Sequence, residues 1–377
     1  MKCFIKCLAV FMLGASVFTA CSNDDDNAPA KRAVDVSEGL FIVGSGNKRA
    51  GIGGNLSYIN YATGTVTSKA FETVNGKALG QTANYVAVYG SKLYIVVDGE
   101  ATIWVCDKKT LKVEKQIITT TLLDATKGVS PRAIVGAGDK VYFTCYGNST
   151  NGGNGIVAAV DTLTFSKFTT YEVGSYPDGL TVCSGYLFVA NSDYGNNVNP
   201  SLSKIDLQSG AVTTIKDAAI TNPMMITTIG NNVYYLDYGT YDANWNQTGQ
   251  GVRRVTVDGK VTKVCDGTAM GTDGKRIFAA NAPYGGETKY YIYDPATDKA
   301  TEWTPADINN PAVITADPVT GYIFITSYSK STDATVSSYA LPTYTNQYDA
   351  QGNFMKKYEG TATGAVSSVF NTGVKYE

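Results

Sequence analysis

The sequence predicts an all-β protein, a single seven-bladed β-propeller of four-stranded blades. A turn, an aromatic or aliphatic run and a loop rich in Gly, Asn and Tyr recur seven times at intervals of 44–53 residues, the period of a propeller blade. The runs are rich in Val, Ile, Tyr, Phe and Thr, without a long 3.6-residue apolar period, so strands are expected. The copies are GLFIVGSG from Gly39, KLYIVVDG from Lys92, KVYFTCYG from Lys140, GYLFVANS from Gly185, NVYYLDYG from Asn232, RIFAANAP from Arg276 and YIFITSYS from Tyr322.

Each repeat supplies four strands in a fixed order. The recurring phrase is the second strand, and a third strand follows it, as in IWVCD at Ile103–Asp107. A turn containing Asp, Gly or Thr then leads to the fourth strand, as in KVEKQI at Lys112–Ile117, because these residues favour tight hairpins. The next blade opens with a short first strand that typically starts at proline, as in PRAIVGA from Pro131 and PDGLTVC from Pro177.

The first blade lacks an opening strand, because the phrase at Gly39 is already a second strand. At the other end of the chain, GAVSSVF at Gly364–Phe370 reads as an opening strand with no blade after it. We therefore predict that Gly364–Phe370 is the innermost strand of the blade that holds Gly39–Phe71. Such pairing closes the ring and leaves no free sheet edge, whereas the alternative is a frayed C-terminal tail.

The N-terminal segment is expected to lie outside the propeller, which we assign to residues 37–377. Residues 1–20 read as a signal peptide, because two lysines precede a largely apolar run that is short for a membrane span. The run ends in FTAC, which resembles a bacterial lipobox with Phe18 where Leu is usual, so Cys21 is the expected site of acylation. Residues 21–36 are then a flexible acidic tether.

The acidic run CSNDDDN that starts at Cys21 resembles the surface-export signal of Bacteroides-type lipoproteins. This resemblance implies an outer-membrane protein that is held by its lipid and faces the cell exterior. A solvated linker is the alternative interpretation.

The composition argues against several classes of function. Charge is nearly balanced, with 31 basic and 33 acidic residues, so nucleic acid is not an expected partner. There is no histidine, which removes Ser-His-Asp and Cys-His catalysis and the usual zinc ligand sets. The glycine-rich GIGGN from Gly51 precedes no predicted helix and reads as a loop, and no phosphate-binding GxxxxGK[ST] motif is present. We expect neither an enzyme nor a cofactor, although a paired-carboxylate hydrolase stays open in principle.

The cysteines of the propeller region are expected to be buried free thiols. They lie in different blades, show no CxxC pair and have no metal-ligand spacing. These residues are Cys106, Cys145, Cys183 and Cys265.

Polar aromatic residues cluster in the loops between the second and third strands, of which the longest is DYGTYDANWNQTGQG from Asp237. These loops share one face of a propeller with the connections between blades, so their side chains should ring one mouth. Tyr and Trp provide rigid contact area with a hydrogen-bonding group, and Asn both donates and accepts, which suits a large, neutral, polar ligand. A tyrosine-rich surface without a ligand is the alternative. The candidate ligand-binding residues are Arg132, Tyr146, Asp178, Asn191, Tyr194, Asp237, Tyr238, Tyr241, Trp245, Asn281, Tyr284 and Tyr328, with Met224 on the same rim.

The lipobox FTAC, the acidic CSNDDD and the segments EGLFIVGSGN, GNLSYINYATGTVT and VNGKALGQTANYVAVYGSKLYIVV together resemble the YncE-like propellers of Bacteroides-type surface lipoproteins. The resemblance extends from Gly39 to Gly373. This group includes the BtuG-type proteins, which bind vitamin B12 and other corrinoids and sit on a TonB-dependent outer-membrane transporter. The resemblance therefore implies a corrinoid-binding partner of such a transporter.

The candidate rim residues come from the repeat and not from this resemblance. Because the chain has no imidazole to offer cobalt, a bound corrinoid should keep its own lower ligand. A glycan-binding protein of a polysaccharide uptake system, or a structural or adhesive propeller that binds protein, remains an alternative.

Overall fold

The computed structural model describes residues 32–377, which form seven four-stranded antiparallel sheets, as the sequence predicts. Cys21 and the acidic run after it lie outside the described residues. From the innermost to the outermost strand, blades 1 to 4 are β30 (Ala365–Tyr376), β1 (Ala33–Gly44), β2 (Asn55–Asn60) and β3 (Thr65–Thr67); β4 (Ala83–Tyr89), β5 (Lys92–Val97), β6 (Thr102–Asp107) and β7 (Val113–Ile118); β8 (Pro131–Ala137), β9 (Lys140–Cys145), β10 (Gly155–Asp161) and β11 (Phe168–Val173); and β12 (Pro177–Cys183), β13 (Tyr186–Asn191), β14 (Ser201–Asp206) and β15 (Val212–Ile215). Blades 5 to 7 are β16 (Pro223–Ile229), β17 (Asn232–Asp237), β20 (Gly251–Val255) and β21 (Val261–Cys265); β22 (Ala269–Thr272), β23 (Ile277–Asn281), β24 (Lys289–Asp294) and β25 (Lys299–Trp303); and β26 (Asn310–Ala316), β27 (Ile323–Tyr328), β28 (Pro342–Tyr348) and β29 (Phe354–Thr363).

The C-terminal strand closes the ring, which confirms the prediction for Gly364–Phe370. β30 pairs antiparallel with β1 along its length, from Ala33 opposite Tyr376 to Gly44 opposite Ala365. The pairing is longer than expected, because β1 begins at Ala33, four residues before the expected start of the propeller at residue 37.

The second strands read as continuous apolar runs because both faces of each blade are buried. In β1, Phe41 and Val43 pack in the cluster that joins blade 1 to blade 2, while Leu40 and Ile42 pack in the cluster that joins blade 1 to blade 7. Alternate side chains therefore contact opposite neighbours, and neither face reaches water. The four cysteines of the propeller region are buried and free, as expected, and burial raises the pKa of the Cys106 thiol to about 12.

Several innermost strands carry a β-bulge close to their first residue. The pairing register shifts after Ala83, Pro131, Pro177 and Pro223, at equivalent positions of blades 2 to 5. A bulge places two residues opposite one partner and redirects their side chains. These shifts lie at the end of each innermost strand where the candidate site is found.

The structure adds elements that the strand pattern does not predict. Two short helices lie in connections between blades, α1 (Ala70–Asn75) and α2 (Thr119–Leu122). α1 buries Phe71 against Trp104, with ring centroids 5.3 Å apart, so packing between blades holds it in place. The loop that starts at Asp237 contains a small hairpin of β18 (Thr240–Tyr241) and β19 (Gln247–Thr248).

Short 3₁₀ turns complete the assignment, at Lys48–Ala50, Gly147–Asn151, Asp193–Gly195 and Ser338–Ala340. No helix within residues 32–377 has both the length and the apolar character needed to cross a membrane.

Candidate functional site

One face of the propeller carries the loops between second and third strands together with the connections between blades; we call it the upper face. The innermost strands of all seven blades line a central cavity of about 320 Å³, and Tyr238 reaches it from a loop. We call the upper opening of this cavity the mouth. It is lined by Asn84, Tyr85, Arg132, Ala133, Asp178, Gly179, Met224, Met225, Ile226, Thr227, Tyr238, Met270, Gly271, Thr272, Val313, Ile314, Thr315, Val366, Ser367 and Ser368.

The repeat places equivalent residues in two rings around the mouth. The inner ring contains the second residue of each innermost strand, which in blades 2 to 5 is Asn84, Arg132, Asp178 and Met224. The outer ring contains the first residue after each second strand. Its backbone N–H bonds the carbonyl just before the innermost strand, as from Asp98 to Thr82 (3.0 Å), Tyr146 to Ser130 (3.1 Å), Ser192 to Tyr176 (3.0 Å) and Tyr238 to Asn222 (2.9 Å).

Blades 2 to 4 give the mouth a polar arc, formed by Asn84, Asp98, Arg132, Tyr146, Asp178 and Ser192. Arg132 donates from Nε to Asp178 Oδ1 at 2.9 Å and from a terminal nitrogen to Asp98 Oδ2 at 3.0 Å. Ser192 Oγ donates to the other Asp178 oxygen at 2.9 Å, and the Tyr146 hydroxyl lies 3.3 Å from both. Asp178, only 6% exposed, is thus fully partnered and fixes the orientation of its neighbours.

Electrostatics reinforce this arrangement. Burial alone would lower the pKa of the Arg132 guanidinium, but the carboxylate of Asp178 outweighs it and the pKa is raised. Burial and the charge of Asp178 both raise the pKa of the Tyr146 hydroxyl. The guanidinium carbon also lies 4.8 Å from the centroid of the Tyr146 ring, so this phenol is a neutral hydrogen-bonding group beside a fixed cation.

A tyrosine cluster extends the polar arc outward. Tyr146 and Tyr176 have ring centroids 4.9 Å apart, and Tyr176 and Tyr194 lie 5.1 Å apart. Tyr176, Asp193 and Tyr194 have φ angles of 49°, 52° and 53°, a left-handed conformation that costs free energy in residues other than glycine. Asp193 supports the loop by accepting the backbone N–H of Val198 at 2.8 Å. The 68% exposed Tyr194 is thereby held at the rim.

Blades 5, 6, 7 and 1 give the mouth an apolar arc, formed by Met224, Met225, Tyr238, Met270, Val313 and Val366. Methionine side chains are polarizable and flexible, so they adapt to irregular ligand surfaces. Burial, with a smaller contribution from Asp178, raises the pKa of the half-buried Tyr238 to about 12. The mouth therefore faces a ligand with charge and hydrogen bonds on one side and with thioether and aromatic surface on the other.

The remaining candidate aromatics lie on the same face but away from the cavity lining. Trp245 and Tyr284 are each 70% exposed. Trp245 lies near Tyr241, with ring centroids 6.4 Å apart. Tyr328 packs against Tyr339, with centroids 4.6 Å apart. These side chains belong to loops around the mouth that could contact only a ligand that extends beyond it.

The structure does not bring Asn191, Asp237 and Asn281 to the mouth. Each is the last residue of a second strand and is buried. Asp237 accepts backbone N–H groups of Thr221, Asn222 and Gly239, each at 2.9 Å. Asn191 donates to Ser201 Oγ at 3.1 Å and Ser203 Oγ at 3.0 Å, and Gln250 donates to Asn281 Oδ1 at 3.2 Å. These three side chains hold the loops in place.

Several mouth residues escape the sequence interpretation because they belong to strands and not to the conspicuous loops. An alignment of the repeats at the second residue of each innermost strand would reveal Asn84 and Met270 beside Arg132, Asp178 and Met224. The others are Tyr85, Asp98, Tyr176, Ser192 and Met225. Within the described part of the chain, no group of three or more Cys, Asp or Glu side chains is arranged to hold a metal ion.

Comparisons with known proteins agree on the fold and leave the function open. Residues 38–174 match the model of a family described as a domain of unknown function, DUF5074. No curated protein matches the chain.

Among solved structures, hydrazine synthase of Kuenenia stuttgartiensis is 14% identical with a TM-score of 0.57, over 78% of this chain and 95% of that one. A protein of Bacteroides uniformis ATCC 8492 with the provisional name 6-phosphogluconolactonase is 10% identical with a TM-score of 0.58, over 89% of this chain and 100% of that one. At these identities the likeness concerns the fold alone.

Proposed function

We propose that this protein is a surface lipoprotein that binds a corrinoid at the mouth of its propeller and passes it to a TonB-dependent outer-membrane transporter. The observation that carries the proposal is the division of the mouth into a polar arc and an apolar arc. The resemblance to YncE-like surface lipoproteins supports the ligand class, the transporter and the location.

The chemistry of the mouth fits a broad, flat molecule with amides at its edge. A corrin is too large for a cavity of about 320 Å³, so it would lie across the mouth and insert only a part of its edge. Its amides can pair with Asn84, Arg132 and Tyr146, and its methyl-bearing surface can pack on Met224, Met270 and Tyr238. A rigid, fully partnered polar arc loses little side-chain entropy on binding, which favours affinity.

We propose binding rather than catalysis. The chain lacks histidine, and the charged groups of the mouth pair with one another, which suits a rigid contact surface. The enzyme names of the two structural neighbours belong to those proteins, since identities of 14% and 10% carry no function to this chain.

Titration calorimetry with cyanocobalamin tests the proposal, together with gel filtration that follows the red chromophore. We expect saturable 1:1 binding and co-elution. If the purified protein gives no heat and no co-eluting chromophore at micromolar concentration, the corrinoid proposal is wrong.

Glycan binding is a second candidate because Trp245 and Tyr284 are each 70% exposed and lie where sugar rings could stack on them. The same titration with soluble oligosaccharides separates the two candidates. Glycan binding should depend on Trp245 and Tyr284, whereas corrinoid binding should depend on the mouth residues as well.

A further inference from the structure

A second cavity, of about 480 Å³, lies on the upper face at the junction of blades 7, 1 and 2. It shares no lining residue with the mouth cavity. Its walls are the loop Gly51–Gly54 with the start of β2, the segment from Ser68 to Gln81, Glu100 of blade 2, and Gly360–Thr363 with Pro342 of blade 7. The volume lies within the range of about 300–1,000 Å³ that is usual for small-molecule sites.

Hydrogen bonds between blades hold these walls together. Gly54 N–H donates to the Gly80 carbonyl at 2.7 Å, which ties blade 1 to the start of blade 2. Ser68 Oγ donates to the Gly360 carbonyl at 2.6 Å. Asn55 exchanges hydrogen bonds with the backbone of Thr363, at 3.3 Å and 3.1 Å. The cavity is therefore built by contacts among three blades and not by a single loose loop.

Two polar groups of the lining have unused hydrogen-bonding capacity. Ser57 is 1% exposed, and within residues 32–377 its Oγ has no hydrogen-bond partner. The same holds for the buried Oε2 of Glu72. An unmade hydrogen bond on a buried hydroxyl or carboxyl is costly, so such groups call for an explanation, and a bound molecule is one. Both groups line the cavity.

The lining chemistry selects the class of ligand. Hydroxyl and amide groups predominate, from Asn55, Ser57, Ser68, Gln81, Thr361 and Thr363, and no aromatic side chain contributes. Glu72, Glu100 and Lys69 also line the cavity, so formal charges nearly cancel and a strongly charged ligand is not favoured. From the free hydroxyl, the free carboxyl oxygen and these amides, we propose that this cavity binds a small neutral polyhydroxylated molecule, of the size of one or two sugar rings.

The state of Glu72 is consistent with a neutral ligand. Burial raises the pKa of its carboxyl group above the usual value. In the protonated form this group both donates and accepts, as Ser57 does, and a pair of adjacent sugar hydroxyls offers the complementary acceptor and donor. Because the ligand would bridge blade 1 to blade 7 across the ring closure, its binding should also stabilise the folded protein.

Saturation-transfer NMR and thermal unfolding with five separate probes test this inference: glucose, galactose, mannose, N-acetylglucosamine and lactose. We expect at least one probe to bind and to raise the unfolding temperature with increasing concentration. Ser57→Val and Glu72→Met should each weaken that binding at least tenfold. Ser57→Val should unfold at the same temperature as the parent or higher, because it replaces an unpartnered hydroxyl by a methyl group of similar size.

Trp245→Ala is the matched control, since it removes an exposed aromatic of the upper face and leaves the second cavity intact. The inference is overturned if none of the five probes binds. It is also overturned if the Ser57 and Glu72 variants bind as the parent does, or if Trp245→Ala abolishes binding. None of these outcomes depends on cyanocobalamin, so the corrinoid proposal stands or falls separately.

Discussion

Asp178 is the residue on which the polar arc depends. It accepts hydrogen bonds from Arg132 and Ser192 at 2.9 Å each and lies 3.3 Å from the Tyr146 hydroxyl. A buried carboxylate is tolerated only when its charge is paired and its oxygens are satisfied. The same contacts that allow the charge to be buried also fix three side chains of the mouth.

Asp178→Asn should lower the free energy of unfolding by about 1–3 kcal/mol, because it removes a charge-assisted hydrogen bond and leaves Arg132 paired to Asp98 alone. Urea unfolding measures the change. Asp139→Asn is a matched control, since Asp139 is exposed. Equal losses in the two variants would contradict the central position of Asp178.

Tyr238→Ala should weaken corrinoid binding about 30-fold, or about 2 kcal/mol, because aromatic anchors at the centre of an interface carry much of the binding energy. We expect similar losses for Trp245→Ala and Tyr284→Ala if the ligand covers the loops as well as the mouth. Calorimetry with cyanocobalamin measures each.

Lys109→Ala is the control for these variants, because Lys109 is exposed in the turn between third and fourth strands, on the opposite face. Lys108 is less suitable, since its Nζ donates to the Thr372 carbonyl of the closing strand at 2.6 Å. Unchanged affinity in all three aromatic variants would place the ligand elsewhere.

At the scale of the elements, the turns between third and fourth strands share one device. An aspartate at the end of the third strand accepts backbone N–H groups of the turn that follows, as Asp107 does from Thr110 at 2.8 Å and Asp206 from Ser209 at 2.8 Å. Asp161 accepts from Thr164 at 2.6 Å and Lys167 at 3.0 Å. These bonds favour the ionised form and lower the pKa of each of the three carboxyl groups.

The protein should therefore lose stability in acid. A carboxyl with a lowered pKa in the folded state contributes stability that is fully present above its unfolded pKa of about 3.9 and is lost as the pH falls through the folded value. We expect the free energy of unfolding to fall progressively below about pH 4. Asp161→Asn should be less stable than the parent at pH 7, and the difference should shrink in acid. A difference that stays constant down to pH 2 would contradict this account, and urea unfolding at each pH measures it.

At the scale of the whole molecule, one strand closes the ring. β30 supplies the inner edge of blade 1 and buries Ala365 and Phe370 in the cluster shared with blade 7. Without it, β1 would expose an unpaired edge toward the central cavity, which is a site for aggregation.

Removal of residues 364–377 should therefore lower the thermal midpoint by about 10 °C or more, since several kcal/mol of pairing and burial are lost. Removal of residues 375–377 is the control, because these residues reach only the exposed start of β1. Circular dichroism during heating compares the two. Equal midpoints for the long truncation and the parent would contradict closure by this strand.

The location of the protein is a separate prediction, carried by the sequence alone. Cys21→Ala should release the protein from the membrane fraction, because the acylated residue is lost. Replacement of Asp24, Asp25 and Asp26 by Ala should leave it anchored but less accessible to protease on intact cells. Unchanged protease accessibility would remove the export signal from the account, and a membrane-bound Cys21→Ala variant would remove the lipid anchor.

The sequence by itself determined the number of blades, the order of strands and the closing strand. These features repeat every 44–53 residues, and a repeated apolar run at a fixed interval has few ways to be buried. It also determined which face carries the polar aromatics, since strand order in a blade decides which loops share a face.

The tertiary structure decided which candidates meet. Asn191, Asp237 and Asn281 look like loop residues in the sequence, but they end strands whose two faces are both covered by neighbouring blades, so their side chains are buried. Asn84 and Met270 belong to inconspicuous strands, yet they line the cavity because they occupy the second position of the innermost strand. The polar arc joins Asp98, Arg132 and Asp178 from three blades. Only the closing of the ring brings such distant residues within hydrogen-bonding distance, because no local pattern records which side chains of neighbouring blades face one another.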